Sequence, residues 1–204
     1  MILYNKSGDL MKTIKQDVIN EIIINKSKFI TVLTNINDTN ELNEKIKFYK
    51  NKYKDATHYC TAYIINSYMK CDDDGEPAGT AGMPILNVLK NNELTNTLCL
   101  VIRYFGGIKL GAGGLIRAYS KSASQALSKA SITKLIEGYL INIEFDYENT
   151  KKIDSILKDE TIKKVFGQKV IYTFKISSKE FNNIENIISK YAKIIKKEPI
   201  LLTV

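Results

Sequence analysis

The segments Cys71-Asp-Asp-Asp-Gly-Glu-Pro-Ala-Gly-Thr-Ala-Gly-Met-Pro84 and Arg103-Tyr-Phe-Gly-Gly-Ile-Lys-Leu-Gly-Ala-Gly-Gly-Leu-Ile-Arg-Ala-Tyr-Ser120 hold most of the unusual chemistry of this chain. They contain eight of its eleven glycines and both of its arginines, although the chain has 30 basic residues. Glycine lets backbone amides approach a partner closely, and a guanidinium grips carboxylate or phosphate in a planar fork. The pattern indicates a built site with a first glycine loop (residues 72–82) and a second glycine loop (residues 106–114).

The composition is that of a globular protein with one large or two small domains. The chain has 204 residues, of which 44% are hydrophobic and 25% are charged. No apolar run approaches the roughly 18 residues of a membrane helix, and residues 1–12 lack the layout of an export signal. The three cysteines have no Cys-x-x-Cys spacing and fit free thiols in a reducing compartment. We therefore expect a cytoplasmic protein with no membrane partner.

The net charge of +8 leaves two interpretations open. A basic balance is typical of proteins that bind nucleic acid. The chain is also rich in lysine, asparagine and isoleucine together, as a biased genome would produce. The excess is spread along the sequence, so charge alone does not locate a surface.

Hydrophobic periodicity predicts an α+β chain. In the first part we expect a hairpin over residues 17–35, a helix opened by a capping box of Asp38 and Glu41, strands over 57–66 and 97–104, and helices beginning near Gly82 and at Gly114. In the second part we expect strands over 139–145, 161–165, 168–176 and 193–203, and helices over 148–158 and after a capping box of Ser177 and Glu180. The order of the second part is βαββαβ, a ferredoxin-like pattern.

The second glycine loop follows a buried strand and opens a helix, an arrangement that favours a bound anion. The spacing does not match Gly-x-Gly-x-x-Gly or a P-loop, so we expect neither a dinucleotide nor a nucleotide phosphate site of those kinds. The alternative is a tight structural turn whose cations pair with the acidic first loop. The candidate residues for anion or nucleic-acid binding are Arg103, Gly106, Gly107, Lys109, Gly111, Gly113, Gly114 and Arg117.

The first glycine loop is acidic, with Asp73, Asp74 and Glu76 followed by Thr80. Asp73 and Asp74 are candidates for a Mg²⁺ site, since this ion takes oxygen ligands. We favour a turn in which the aspartates cap local amides, because no second acidic motif completes a cage. We expect no cofactor.

His58 is the only histidine and the candidate catalytic residue, as a general acid or base. With Cys60 it also makes one edge of a possible zinc site, which nothing in the spacing completes. A hydrogen-bonded histidine at the start of a strand is the simpler interpretation.

The longest motifs, Asp73–Gly82 and Arg103–Tyr119, resemble the signature of the YigZ/IMPACT family. The segments Lys26–Ile30 and Ala56–Cys60 fit it as well. The resemblance covers roughly residues 17–130.

The resemblance implies two domains. Residues 1–134 would be similar to domain 2 of ribosomal protein S5. Residues 135–204 would form a ferredoxin-like domain similar to one of elongation factor G, in agreement with the βαββαβ pattern. Eukaryotic members of the family are translational regulators that bind the activator of an initiation-factor kinase. The presumed family surface on this chain would include Asp73, Asp74, Glu76, Thr80, Arg103, Lys109 and Arg117, with His58 as a further member.

Three functions remain in contention. We favour a non-enzymatic, translation-associated regulator that binds RNA, the ribosome or a ribosome-linked protein through both glycine loops. The first alternative is an enzyme that acts on a phosphorylated or nucleotide substrate with His58 and the acidic loop. The second is a protein-interaction module in which both arginines are structural. The sequence does not set the oligomeric state.

Overall fold

A computed structural model describes residues 11–158 and 161–203, which form two compact α+β units over residues 11–133 and 134–203. Within these residues, no helix combines the length and apolar character needed to span a bilayer. The first elements are β1 (Lys12–Ile14), β2 (Val18–Ile24), β3 (Ser27–Asn35), α1 (Thr39–Lys52), β4 (His58–Ile65), β5 (Tyr68–Asp72), α2 (Gly82–Asn91), β6 (Thr97–Tyr104) and α3 (Gly111–Leu127). The remaining elements are β7 (Ile132–Phe145), a 3-10 turn (Tyr147–Asn149), α4 (Thr150–Leu157), β8 (Thr161–Phe166), β9 (Val170–Ser177), α5 (Ser178–Ile188) and β10 (Lys193–Thr203).

The first unit is an antiparallel sheet with helices on both faces. Its strands lie in the order β2-β3-β6-β4-β5. The central strand β6 alternates its side chains, so that Leu98, Leu100 and Ile102 pack with α1, while Cys99 and Val101 pack with α2 and α3. A strand buried on both faces explains why its sequence is an almost continuous apolar run.

The second unit has the ferredoxin-like topology that the βαββαβ pattern predicts. Its strands lie in the order β10-β7-β9-β8, and every neighbouring pair is antiparallel. Alternate residues of β7 and β9 face the two helices and form the core. The predicted α+β class is confirmed.

Both predicted capping boxes open their helices. The Asp38 carboxylate accepts hydrogen bonds from the backbone N–H groups of Asn40 and Glu41, at 2.8 and 2.9 Å. Ser177 accepts the N–H of Glu180 at 3.2 Å. Side chains therefore satisfy amides that have no partner within the first turn of each helix.

Several elements differ from the sequence analysis, and two of the differences have a local reason. β5 was not expected, because an edge strand that is largely exposed on both faces has no apolar alternation to reveal it. α3 begins at Gly111 and not at Gly114, since the low helix propensity of glycine hides its first turn. β7 begins at Ile132 and not at 139.

Gly106 allows the second glycine loop to lie directly against the turn between β2 and β3. A Cβ atom on Gly106 would lie 2.0 Å from the carbonyl carbon and oxygen of Lys26 and 2.4 Å from the nitrogen of Ser27. The backbone N–H of Gly106 donates to Ser27 Oγ at 3.2 Å. This close approach of two backbones explains why only glycine fits here.

Gly106→Ala should therefore destabilise the first unit, by about 1–3 kcal/mol, because the two backbones must separate to admit a methyl group. Urea unfolding followed by circular dichroism measures the change. Gly113→Ala is the matched control: its Cβ would meet Arg117 at 3.5 Å, an ordinary contact. Alanine inside a helix should stabilise by up to about 1 kcal/mol. Equal effects of the two variants would contradict the packing argument.

Candidate functional site

Arg103 of β6 and Glu76 of the first glycine loop form a buried ion pair. Arg103 Nη1 lies 2.5 Å from Glu76 Oε1, and the side chains are only 5% and 4% exposed. Nη2 donates to Ser27 Oγ at 3.3 Å, whereas Nε is buried with no hydrogen-bond partner in the part of the chain that the structure describes. Arg103, one of the candidate anion-binding residues, is therefore enclosed, and Glu76 is its counter-charge. Arg103 is the last residue of β6 on the face that α2 and α3 cover. Its side chain therefore lies inside the unit, where Glu76 neutralises its charge.

Tyr119 of α3 also contacts this ion pair. Its hydroxyl donates to the same Glu76 oxygen at 2.7 Å. Burial above all, and then the neighbouring Cys60 and Glu76, raise the pKa of Tyr119, so the phenol keeps its proton. The Cys60 thiol lies 3.3 Å from the Tyr119 hydroxyl and 3.1 Å from the carbonyl oxygen of Asp73, and its single proton can serve one of them. The first loop, β6 and α3 thus meet at one carboxylate oxygen.

His58 lies beside this cluster, as the resemblance implies. Its Nδ1 is 2.8 Å from the carbonyl oxygen of Asp74, which can only accept, so Nδ1 carries the proton. Its Nε2 lies 3.9 Å from Glu76 Oε1. The structure therefore brings His58 and the acidic loop together, but holds the ring by one nitrogen in a structural hydrogen bond.

Glu76→Gln should destabilise the first unit by about 3 kcal/mol, because it leaves the Arg103 guanidinium buried without a counter-charge. Urea unfolding of both proteins measures this loss. Glu93→Gln is the matched control, since it removes the partner of Lys12 from an ion pair whose side chains are each 34% exposed. Its effect should stay below about 1 kcal/mol. A Glu76→Gln variant as stable as this control would show that the buried pair contributes little.

The aspartates of the first glycine loop bind backbone amides of the loop and of β4. The Asp73 carboxylate accepts the N–H groups of Gly79, Ala81 and Gly82 at 2.8, 2.9 and 2.8 Å, and so caps the N-terminus of α2. The Asp74 carboxylate accepts the N–H of Tyr59 at 2.7 Å. Both carboxylates thus accept hydrogen bonds from backbone amides of the protein.

Thr80 is buried and has a structural contact, because its hydroxyl donates to the carbonyl oxygen of Pro77 at 2.6 Å. Across residues 11–158 and 161–203, no three His, Cys, Asp or Glu side chains group so that they could hold a metal ion. The carboxylates of the first loop are engaged inside the protein.

The pKa of Asp73 reflects its capping role. Burial acts to raise this pKa, but the three backbone donors from Gly79, Gly82 and Ala81 outweigh it and hold the pKa below its ordinary value of 3.8. Because the folded-state pKa is depressed, the charged carboxylate contributes stability that is fully present above the unfolded value. This contribution is lost as the pH falls through the folded-state pKa.

The difference in unfolding free energy between the wild type and Asp73→Asn should accordingly be largest above about pH 5 and should shrink towards pH 2. Urea titrations at closely spaced pH values measure this difference. A difference that stays constant over the acid range would show that the charge of Asp73 is not what stabilises the loop.

The second glycine loop ends at a helix N-terminus that is open. Within the residues that the structure describes, no side chain caps the N-terminus of α3, and its first turn has no acidic residue. Gly107 and Gly111 adopt positive φ angles of 82° and 68°, which turn the chain into the helix. Lys109 and Arg117 are exposed, and Arg117 Nη1 lies over Gly113, 3.5 Å from its ideal Cβ position.

The N-termini of α2 and α3 differ although both are glycine-rich. A carboxylate from the chain itself occupies the end of α2, whereas the end of α3 has bare amides and two exposed cations. Free N–H groups and the helix dipole make such an end favourable for negative charge. Of the predicted anion-binding residues, Lys109 and Arg117 are exposed, Gly106 and Gly114 are partly buried, and Arg103 is buried in the ion pair with Glu76.

The comparisons with known proteins agree with the motifs. The Impact N-terminal domain family matches residues 25–127. IMPACT family member YvyE of Bacillus subtilis is 40% identical over 176 residues, which cover 83% of this chain and 81% of that protein. The chain belongs to the IMPACT family.

Two further proteins are similar to this IMPACT family chain. IMPACT family member YigZ of Escherichia coli is 32% identical over 139 residues, which cover 66% of this chain and 68% of that protein. A crystal structure of a hypothetical protein matches with a TM-score of 0.66 and 25% identity, over 95% of this chain and 96% of that one. The likeness thus extends over the described fold of both units.

Sequence reasoning missed two members of the buried cluster. Ser27 lies in the motif Lys26–Ile30 but was not singled out, and it joins the cluster because Gly106 brings the second loop against the hairpin. Tyr119 was named only as the end of the motif Arg103–Tyr119, and its hydroxyl gives it a polar role in the cluster. A buried tyrosine hydroxyl needs a partner, and a search for acceptors near the start of α3 would have pointed to the acidic loop.

Proposed function

We propose that this IMPACT family chain is a cytoplasmic, translation-associated regulator that binds RNA, and that the open N-terminus of α3 holds the phosphate backbone. The observation that carries the proposal is the uncapped first turn of α3 with Lys109 and Arg117 exposed beside it. Family membership supports the link to translation, since the eukaryotic members act in its control. Ribosomal RNA is one of the RNAs to which this proposal applies.

The electrostatics favour a polyanion over a small acidic ligand. One helix end contributes about 0.3–1 kcal/mol at an exposed site, too little for tight binding alone. A polyanion adds contacts with Lys109 and Arg117 and is attracted by the net charge of +8. RNA therefore contacts Lys109 and Arg117 as well as the helix end, whereas a single small anion would contact the helix end alone.

The proposed contact surface includes fewer residues than the sequence analysis suggests. The first loop does not offer free amides, because Asp73 already accepts three of them. Arg103 does not offer a free charge, because Glu76 accepts from it. We therefore propose that the second loop binds the backbone and that the first loop and Arg103 support it from beneath.

Both alternatives find partial support. His58 and Glu76 lie 3.9 Å apart, as an enzyme would need, but Asp73, Asp74 and Glu76 are each bonded within the protein. We do not propose a reaction on that basis. A module with two structural arginines fits Arg103 and not Arg117, which is exposed.

The double variant Lys109→Ala/Arg117→Ala should weaken binding of RNA and flatten its salt dependence. Each phosphate contact with a single strand contributes about −0.7 to the slope of log K against log salt, so two lost contacts should change the slope by about 1.4. Filter binding between 50 and 200 mM salt measures both quantities.

Lys47→Ala/Lys90→Ala is the matched control, because it removes the same charge from exposed positions of α1 and α2 in the same unit. This control should keep most of the affinity. An equal loss in both double variants would mean that net charge alone attracts RNA, and absence of binding by the wild type at low salt would contradict the proposal.

A further inference from the structure

Phe105 presents an aromatic ring at the start of the second glycine loop. Its side chain belongs to the exposed large hydrophobics, with 46% of the residue accessible. Its backbone N–H donates to Thr57 Oγ1 at 2.9 Å, which fixes the residue at the end of β6. A phenyl ring that is half exposed on a fixed backbone is available for contact with a ligand.

The Phe105 ring is supported from within the protein. Arg103 Cζ lies 5.5 Å from its centroid and 5.4 Å from that of the buried Phe29, within the range of cation–π contact. Arg103 is itself held by Glu76. Phe105 is thus backed by a guanidinium that has little freedom to move, while part of its ring faces solvent.

The other aromatic side chains near the loops are unsuitable for stacking with a ligand. Tyr119 is fully buried and Tyr63 is 9% exposed. The hydroxyls of Tyr59 and Tyr104 bond to backbone carbonyls, at 2.7 and 3.0 Å. Tyr68 is exposed, but it pairs with Ile65, whereas His58, at the other end of the same strand, pairs with Arg103. Tyr68 therefore lies about 20 Å along the strand from the end of β6, where the second loop begins.

We propose that Phe105 is a stacking platform for an unpaired nucleobase, and that the RNA bound by this protein is therefore single-stranded. This inference rests on the proposed function, because it places the base beside the site proposed for the backbone. Phe105 and the first residue of α3 are six positions apart, so they lie within about 20 Å of each other. A single strand of a few nucleotides reaches both, with a base on the ring and a phosphate at the helix end.

The chemistry of stacking explains the choice of a single strand. Every nucleobase offers a π face, so an aromatic ring binds bases with little regard to sequence. In a duplex these faces are already stacked on neighbouring bases and are unavailable to a side chain. A duplex could still use Lys109 and Arg117, but it would gain nothing from Phe105.

The test compares two oligomers of equal length and charge: a 12-nucleotide oligouridylate and the same ribose-phosphate backbone without bases. The wild type should bind the base-bearing oligomer about tenfold more tightly, as one stacked base provides. Phe105→Leu keeps an apolar side chain and removes the π face. It should abolish that tenfold preference and leave the affinity for the abasic oligomer unchanged.

Phe48→Leu is the matched control, since Phe48 is an exposed phenylalanine of α1 in the same unit, 59% accessible. It should keep the tenfold preference. Phe105→Trp gives an independent readout, because the chain has no other tryptophan. Its fluorescence should be quenched by the oligouridylate and unchanged by the abasic oligomer or by duplex RNA of the same charge.

The outcomes separate this inference from the proposed function. If Phe105→Leu retains the preference, or if duplex RNA binds the wild type as tightly as the single strand, the stacking role is overturned although RNA binding stands. If neither oligomer binds at low salt, or if Lys109→Ala/Arg117→Ala leaves both affinities unchanged, the proposed function itself fails. A ring that contacts a protein partner instead would give no dependence on bases and no quenching.

Discussion

The contact between the Glu76 carboxylate and the Arg103 guanidinium organises the first unit. Glu76 belongs to the first glycine loop, Arg103 to the central strand, and Tyr119 to α3, and all three meet at one oxygen. Taking two charges out of water is costly, and the pair is tolerable because each partner neutralises the other and hydrogen bonds with Tyr119 and Ser27 satisfy part of the remaining polar groups. The first loop, β6 and α3 are thereby joined at the same atom, so none of the three can shift far without breaking one of these bonds.

This anchoring divides the charges into two groups with different tasks. The acidic first loop satisfies its own amides and the buried guanidinium, so its carboxylates are used internally. The second loop receives no such carboxylate, and its cations remain exposed. Two glycine-rich loops thus end in opposite electrostatic states. The difference follows from where each sequence places its acids, because Asp73 reaches forward to the N-terminus of α2, whereas the first turn of α3 contains no acidic residue.

Regular elements were predictable from the sequence where a local rule governs them. Capping by Asp38 and Ser177, the apolar run of β6 and the alternation in β7 and β9 depend on neighbours in the chain. The edge strand β5 escaped because its exposed side chains follow no alternating pattern.

The burial of Arg103 was harder to foresee, because it depends on residues far away in the sequence. Glu76 is 27 residues from Arg103, and Ser27 is 76 residues away. Sequence reasoning weighed pairing between the loops but could not choose which arginine would be enclosed. The alternation of β6 decides which arginine is enclosed. Arg103 lies on the same face of the strand as Cys99 and Val101, the face that α2 and α3 cover, and this alternation can be read from the sequence.

The buried thiol of Cys60 has a consequence for the chemical durability of the protein. Burial, in spite of the Tyr119 hydroxyl, raises the pKa of Cys60 to about 12, and burial raises that of Cys99 to about 12 as well. Since the thiolate is the form that peroxide and alkylating agents attack, neither sulfur reacts readily at neutral pH. The cluster under the loops thus includes a cysteine and still withstands oxidants, and the half-buried Cys71 is left as the more accessible target.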